Sequence, residues 1–191
     1  MLGSAGKSTS PDVTTELDIL RIVSDRLERL GIPFMLTGSY AMAYYATPRM
    51  TRDLDLVVAL EAAALDKLIA AFAGDFYVDA DAALEAVRAG RLFNMMHLAS
   101  GIKLDMIPKK SAPYRDLEFS RRTRRELGGV ATWLVSREDL ILSKLLWARE
   151  SGSELQLRDA RALLTDTSDR EYLGRWAAKL DVTKLLEQAS G

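Results

Sequence analysis

Cysteine is absent from this chain, which rules out disulfides and thiolate zinc sites. Histidine is nearly absent too. His97, the single one, sits in the apolar stretch Leu92 to Ala99, where nothing marks it as a ligand. It reads as a packed or surface residue. No apolar run approaches the ~20 residues of a membrane span. The opening residues MLGSAGKSTSPD lack the apolar centre of a signal peptide. These absences lead to the expectation of a soluble cytoplasmic protein with no membrane partner. The net charge of −1 excludes a protein built as a whole to bind polyanions. There is no internal repeat and no long low-complexity segment. What remains is 191 residues, 48% of them hydrophobic. That suits one domain, or one domain with a small helical appendage.

The N-terminus holds a decoy. Gly3-Ser4-Ala5-Gly6-Lys7-Ser8 looks like a phosphate-binding loop. Its glycines are too close together, and only Met1 and Leu2 precede it where the motif needs a strand. Residues 1–14 are expected to be a flexible tail.

Beyond the tail the hydrophobic pattern alternates between helix and strand periods. Leu17 to Leu30 recurs at helical spacing and is stopped by Gly31 and Pro33. Phe34 to Thr37 reads as a strand, Ser39 to Ala46 as a short helix ended by Pro48, and Asp53 to Leu60 as a second strand. Glu61 to Ala73 is Ala/Leu-rich and helical. A strand at Phe76 to Asp79 and a helix at Ala82 to Ala89 follow. Leu92 to Ala99 and Ile102 to Ile107 form a hairpin through Ser100-Gly101. Val130 to Val135 reads as a strand. Ser136 with Asp139 opens a capped helix to about Glu150. Helices from Ser153 to Leu164, Arg170 to Leu180 and Thr183 to Gln188 close the chain. The expectation is an α+β fold with a mixed sheet flanked by helices. Its α/β core covers 15–135, and a helical C-terminal third, 136–191, packs on it.

The segment Leu36 to Val58 carries the chemistry. Gly38-Ser39 follows an apolar run, and Asp53-Leu54-Asp55 opens the next. Residues two apart on a strand share a face, so Asp53 and Asp55 project together. Two carboxylates held side by side repel each other unless a cation lies between them, and hard cations such as Mg²⁺ take oxygen ligands. A helix starting at Ser39 would present free N–H groups and a positive dipole end to an anion. A phosphate cradle beside a paired carboxylate suits phosphoryl or nucleotidyl transfer.

Gly38-Ser39, a spacer, and Asp-Leu-Asp between apolar residues resemble the signature of the nucleotidyltransferase superfamily, the polymerase-beta-like fold. That family usually carries a third carboxylate on a later strand, and Asp105 in IKLDMIP matches it. The stretch Ser136 to Leu164 is similar to the second half of the AbiEii-type abortive-infection toxin nucleotidyltransferases. Those carry a helical lysine and an aspartate on the next helix, where Lys144 and Asp159 stand. The resemblance covers roughly Phe34 to Leu164. It implies that Asp53, Asp55 and Asp105 bind Mg²⁺ or Mn²⁺ and that Gly38, Ser39, Arg52 and Lys144 hold the nucleoside triphosphate. Lys144 and Asp159 would complete the catalytic set. The implied reaction moves a nucleoside monophosphate from an NTP to a hydroxyl on an RNA end or a protein. The protein would then be a possible toxin with an antitoxin partner. A small-molecule, antibiotic-type acceptor and a non-catalytic binding module are the alternatives.

The same residues have plainer readings. Asp53 could bond to backbone, and Asp55 could pair with Arg52 or Arg49. Asp105 shares its face with Lys103, so a local ion pair would account for it. Lys144 could be a solvated lysine, and Asp159 a helix-surface charge beside Arg158 or Arg161. From Lys109 to Arg125 seven basic residues stand against Asp116 and Glu118. That run is either a solvated face or a rim that holds phosphates. No aromatic residue interleaves Arg121 to Arg125, so stacking on single strands is not indicated there.

Overall fold

The computed structural model describes residues 15–47 and 51–191. The expected tail, the decoy loop, Pro48 and Arg49 lie outside the described residues.

Helix α1 (Glu16–Arg29) starts at a capping box. The Thr15 hydroxyl accepts from the Asp18 N–H, and the Asp18 carboxylate accepts from the Thr15 N–H. Its buried stripe of Ile19, Leu20, Val23 and Leu27 packs on the sheet. Strand β1 (Phe34–Thr37) is buried throughout and runs directly into α2 (Gly38–Tyr45). Strand β2 (Asp53–Val58) follows, then a single 3-10 turn (Ala62–Ala64) and α3 (Leu65–Phe72). Next come β3 (Phe76–Tyr77), α4 (Ala80–Arg88), β4 (Phe93–His97) and β5 (Lys103–Pro108). Helix α5 (Pro113–Ser120) leads to the hairpin of β6 (Thr123–Leu127) and β7 (Val130–Leu134). Four helices end the chain: α6 (Arg137–Ser151), α7 (Glu154–Leu163), α8 (Arg170–Lys179) and α9 (Thr183–Ser190).

The seven strands form one mixed sheet in the order β3-β4-β5-β2-β1-β7-β6. Strand β2 lies antiparallel to β1 and parallel to β5, and β1 runs parallel to β7. Leu54, Leu56 and Val58 on β2 and Leu104 and Met106 on β5 are fully buried on one face. Alternation therefore places Asp53, Asp55 and Val57 with Lys103, Asp105 and Ile107 on the other. The fold is the α+β arrangement of mixed sheet and flanking helices that the periodicity predicts.

Some boundaries differ from the sequence reading. The strand expected over Phe76 to Asp79 stops after two residues, because the Asp79 carboxylate accepts from the Ala82 N–H at 3.0 Å and caps α4. The basic run from Lys109 to Arg125, to which no element was assigned, contains α5 and β6. Pro113 at the first turn starts α5. Strand β6 is exposed over Thr123 to Glu126, so it carries no apolar alternation to betray it. His97 is a packed residue. Its ring lies edge-on to Phe76, and its Nδ1 is 2.8 Å from the Ser100 hydroxyl in the hairpin turn.

Helix α6 is fixed at its start by Ser136, whose hydroxyl accepts from the Asp139 N–H and donates to the Asp139 carboxylate at 2.5 Å. Asp139 is fully buried and also receives Arg121 Nε at 2.9 Å and the Tyr172 hydroxyl at 2.6 Å. This single carboxylate ties α5, α6 and α8 together.

Candidate active site

The turn from β1 into α2 builds the first half of the site. Gly38 sits at φ +65°, a left-handed conformation that glycine adopts without strain. A Cβ at this position would run into the Asp55 carboxyl. The glycine is thus demanded by contact with β2 as well as by the backbone turn. Next to it, the Ser39 N–H donates to the Asp55 carboxylate. The anion seated at the start of α2 is the protein's own side chain.

The pairing of β2 with β5 builds the second half. Asp55 lies in register with Asp105, and Asp53 with Lys103. Neighbouring strands are ~4.8 Å apart, so Asp55 and Asp105 are lateral neighbours on one face. Asp105 Oδ1 accepts from Asn94 Nδ2 at 2.6 Å and lies 3.0 Å from Lys103 Nζ. The local ion pair with Lys103 is therefore real, and it coexists with the position beside Asp55. Asp53 is exposed at the start of β2, as is Arg52 before it. Burial, followed by the charge of Asp105, pushes the Asp55 carboxyl up to about 6, and Asp53 adds to the effect. The Lys144 ammonium and the Ser39 N–H oppose the shift.

Lys144 and Asp159 differ from their plain readings. Lys144 is 2% exposed, and its ammonium donates to Asp159 Oδ2 at 2.8 Å. Asp159 is buried on α7, not a surface charge beside Arg158. The pair joins α6 to α7 and holds one positive charge close enough for Asp55 to feel it. The structure thus brings Gly38, Ser39, Asp55, Asp105 and the Lys144–Asp159 pair into one neighbourhood. Asp53 and Arg52 stand at its solvent edge.

The donor set suits a hard divalent cation. Asp53, Asp55 and Asp105 offer carboxylate oxygens on two adjacent strands, and a cation there would offset both the burial of Asp55 and the charge of Asp105 beside it. Among the described residues no three such side chains already converge as a metal cluster. Asp105 shares its Oδ1 between Asn94 and Lys103, so an ion there would compete with the Lys103 ammonium for that carboxylate.

A cavity of about 220 Å³ opens from Thr37, Gly38 and Asp55. Val57 and Ile107 line it from the sheet, and Leu146 and Trp147 line it from α6. The basic run divides at this point. Lys109, Lys110 and Arg115 line the cavity. Arg121 binds Asp139, and Arg122 stacks 4.1 Å from the Phe119 ring centroid. Arg124 pairs with Glu28 of α1. Two features were missed in the sequence. One is the network in which Glu118 accepts from Arg115 and the Ser143 hydroxyl, both at 2.7 Å. The other is Trp147, one helical turn beyond Lys144, a spacing that puts both on one face of α6.

No protein-family model matches the sequence, and no curated protein matches it. Solved structures do. A nucleotidyltransferase-like antigenic protein from Paracoccidioides brasiliensis superposes with a TM-score of 0.55 over 90% of this chain and 92% of its own, at 19% identity. The antibiotic-resistance factor ANT(2'')-Ia gives 0.58 over 91% and 95%, at 15% identity. The lincosamide antibiotic adenylyltransferase LnuA, in a lincomycin-bound structure, gives 0.51 over 80% and 98%, at 16% identity. At such identities the likeness speaks for the fold, and that fold is the one shared by nucleotidyltransferase-like proteins.

Proposed function

We propose that this protein is a nucleotidyltransferase that moves a nucleoside monophosphate from an NTP to a hydroxyl acceptor. One observation carries the reading. Asp55 and Asp105 are paired in register on parallel strands, beside the start of α2, with the Asp55 carboxyl pushed up to about 6. Asp53, Asp55 and Asp105 would hold Mg²⁺ or Mn²⁺. When bound, such an ion neutralises triphosphate charge and acidifies the attacking hydroxyl.

The remaining steps belong to the chain. Gly38 and Ser39 would hold the phosphates once ion binding draws the Asp55 carboxylate away from the Ser39 N–H that it now accepts from. Lys144, oriented by Asp159, supplies a fixed positive charge that needs no reorganisation during the reaction. Arg52, exposed beside Asp53, would meet the outer phosphates. The acceptor oxygen bonds to the α-phosphorus, the α–β bridge breaks, and pyrophosphate leaves. The hydroxyl proton passes to a carboxylate of the face. Catalysis is then positioning and charge neutralisation.

For the acceptor, a small molecule is favoured by the neighbours, which include ANT(2'')-Ia in complex with adenylyl-2''-tobramycin. The RNA, protein and toxin–antitoxin readings rest on the sequence resemblance. The test is incubation with each α-labelled NTP, Mg²⁺, and in turn total RNA, cell lysate and aminoglycosides. Label should enter one acceptor pool with release of pyrophosphate, and Asp55→Asn with Asp105→Asn should abolish it. NTP binding without transfer to any pool would assign the protein to the non-catalytic module.

A further inference from the structure

We infer that the cavity beside Asp55 is a nucleobase subsite, with Trp147 as its stacking platform. The inference rests on the nucleotidyl-transfer reading and adds to it the part of the ligand that the carboxylates and the α2 turn leave unrecognised.

The size of the cavity limits what it holds. At about 220 Å³ it falls below the ~300–1,000 Å³ of sites that enclose a drug-sized ligand. It therefore accommodates one ring system of a larger molecule, with the rest extending into the open cleft. The surface it presents is mostly apolar, supplied by Val57, Ile107 and Pro108 from the sheet side and by Leu146 and Trp147 from α6. The apolar part of this lining suits a planar heterocycle, while Lys109, Lys110, Arg115 and Lys144 at the same cavity suit the phosphates attached to it.

Trp147 is the largest of these groups and is half exposed, whereas its α6 neighbours Leu145 and Leu146 are buried. A tryptophan left open to water at the mouth of a cleft has area to bury and a π-face to offer. It is anchored beside the site, because the Lys144 ammonium lies 5.9 Å from its ring centroid, within cation–π reach. Lys144 in turn is locked to Asp159. The stacking platform and the phosphate-neutralising charge thus stand one turn apart on a single rigid helix. The cavity wall is equally fixed, since Arg115, Glu118 and Ser143 are bonded to one another. At the rim, Lys110 has no ion-pair partner among the described residues, and Glu150 is largely exposed. Lys110, and Glu150 on exchanging its exposed contact with Arg149, can meet polar edges of a base. The heterocycle could belong to the NTP donor or to the terminal nucleotide of a nucleic-acid acceptor. The chemistry of recognition is the same for both.

The experiment measures equilibrium binding of each NTP, a short single-stranded RNA and inorganic tripolyphosphate to the full-length protein, Trp147→Ala and Trp147→Phe, with label transfer assayed in parallel. Trp147→Ala should weaken binding of a base-bearing ligand by about five- to a hundredfold, the range for loss of one base stack. Tripolyphosphate, which has no base, should bind all three proteins equally. Trp147→Phe should recover most of the affinity. A loss confined to NTPs assigns the subsite to the donor, and a loss confined to RNA assigns it to the acceptor. Wild-type affinity of Trp147→Ala for every ligand overturns the inference, and continued label transfer in that case leaves the nucleotidyltransferase reading standing. If the wild-type protein itself neither binds NTP nor transfers label, both fall.

Discussion

Asp55 and Asp139 are two carboxylates withdrawn from water in one molecule, and their surroundings are opposite. Asp139 is fully buried and collects Arg121, Tyr172 and the Ser136 hydroxyl, with the Tyr114 hydroxyl further off at 3.4 Å. Asp55 faces Asp105 and Asp53, and burial with those charges raises its proton affinity. A carboxylate saturated with donors holds elements together. A carboxylate left beside like charges costs stability, and that cost makes sense where a ligand removes it.

The largest test of this contrast is Asp139→Ala. It strands Arg121 and removes the α6 cap partner, so a loss of about 3–5 kcal/mol is expected by urea denaturation. A loss below ~1 kcal/mol would break the comparison.

Lys144→Ala comes next. As an exposed lysine, Lys144 would contribute little to the fold, but the structure buries it against Asp159. The substitution removes the buried cation beside Asp159 and should cost roughly 3 kcal/mol. Lys144→Met combined with Asp159→Leu should return melting to near the wild-type value while nucleotide binding stays impaired. That would separate the fold from the charge the site requires.

Asp55→Asn should act in the opposite direction on stability. A carboxyl with its folded value raised to about 6 binds its proton more tightly than the unfolded chain, whose ordinary value is 3.8. Its stabilising effect is complete below about 4 and is lost as pH rises through about 6. The metal-free protein should therefore lose stability between pH 4 and pH 6 through this group. Asp55→Asn should flatten that dependence and melt higher at pH 8, by about 2–4 °C for each ~1 kcal/mol gained. Transfer should vanish. An unchanged melting profile across pH 4–8 would show that neither burial nor Asp105 raises the proton affinity of Asp55.

The smallest expected effect is Lys103→Ala. The Lys103–Asp105 pair is partly exposed, and such pairs contribute ~0–1 kcal/mol. Removing the ammonium frees Asp105, so calorimetry should show tighter Mn²⁺ binding with nearly unchanged melting. Weaker Mn²⁺ binding would mean that Lys103 positions Asp105 and does not compete for it.

The sequence made the carboxylate face legible because strand alternation is local. Asp53, Leu54 and Asp55 announce both faces in three residues. That Asp105 joins them depends on a parallel pairing that no local pattern encodes, and the family resemblance supplied it. Lys144 illustrates what composition conceals. It sits among Leu140, Ile141, Leu145 and Leu146, and lysine on such a helix is usually solvated. Only α7 packing against α6, with Asp159 facing it, makes burial affordable. Strand β6 escaped notice because it has solvent on most sides and its arginines read as a charged surface.

That same strand has a consequence for how molecules of this protein coexist in solution. Among the described residues the sheet ends at β3 on one side and at β6 on the other. Strand edges carry unpaired backbone groups that invite another chain to add on and start an aggregate. The β3 edge is only two residues long, too short to template a partner. The β6 edge is five residues long and places Arg124 and Arg125 at its middle. A second copy approaching edge to edge in a register centred on Arg125 would bring that guanidinium against its like. Charge at one margin and brevity at the other keep the sheet from growing beyond its seven strands. Replacing both arginines with valine should convert a well-behaved protein into one that scatters light on standing.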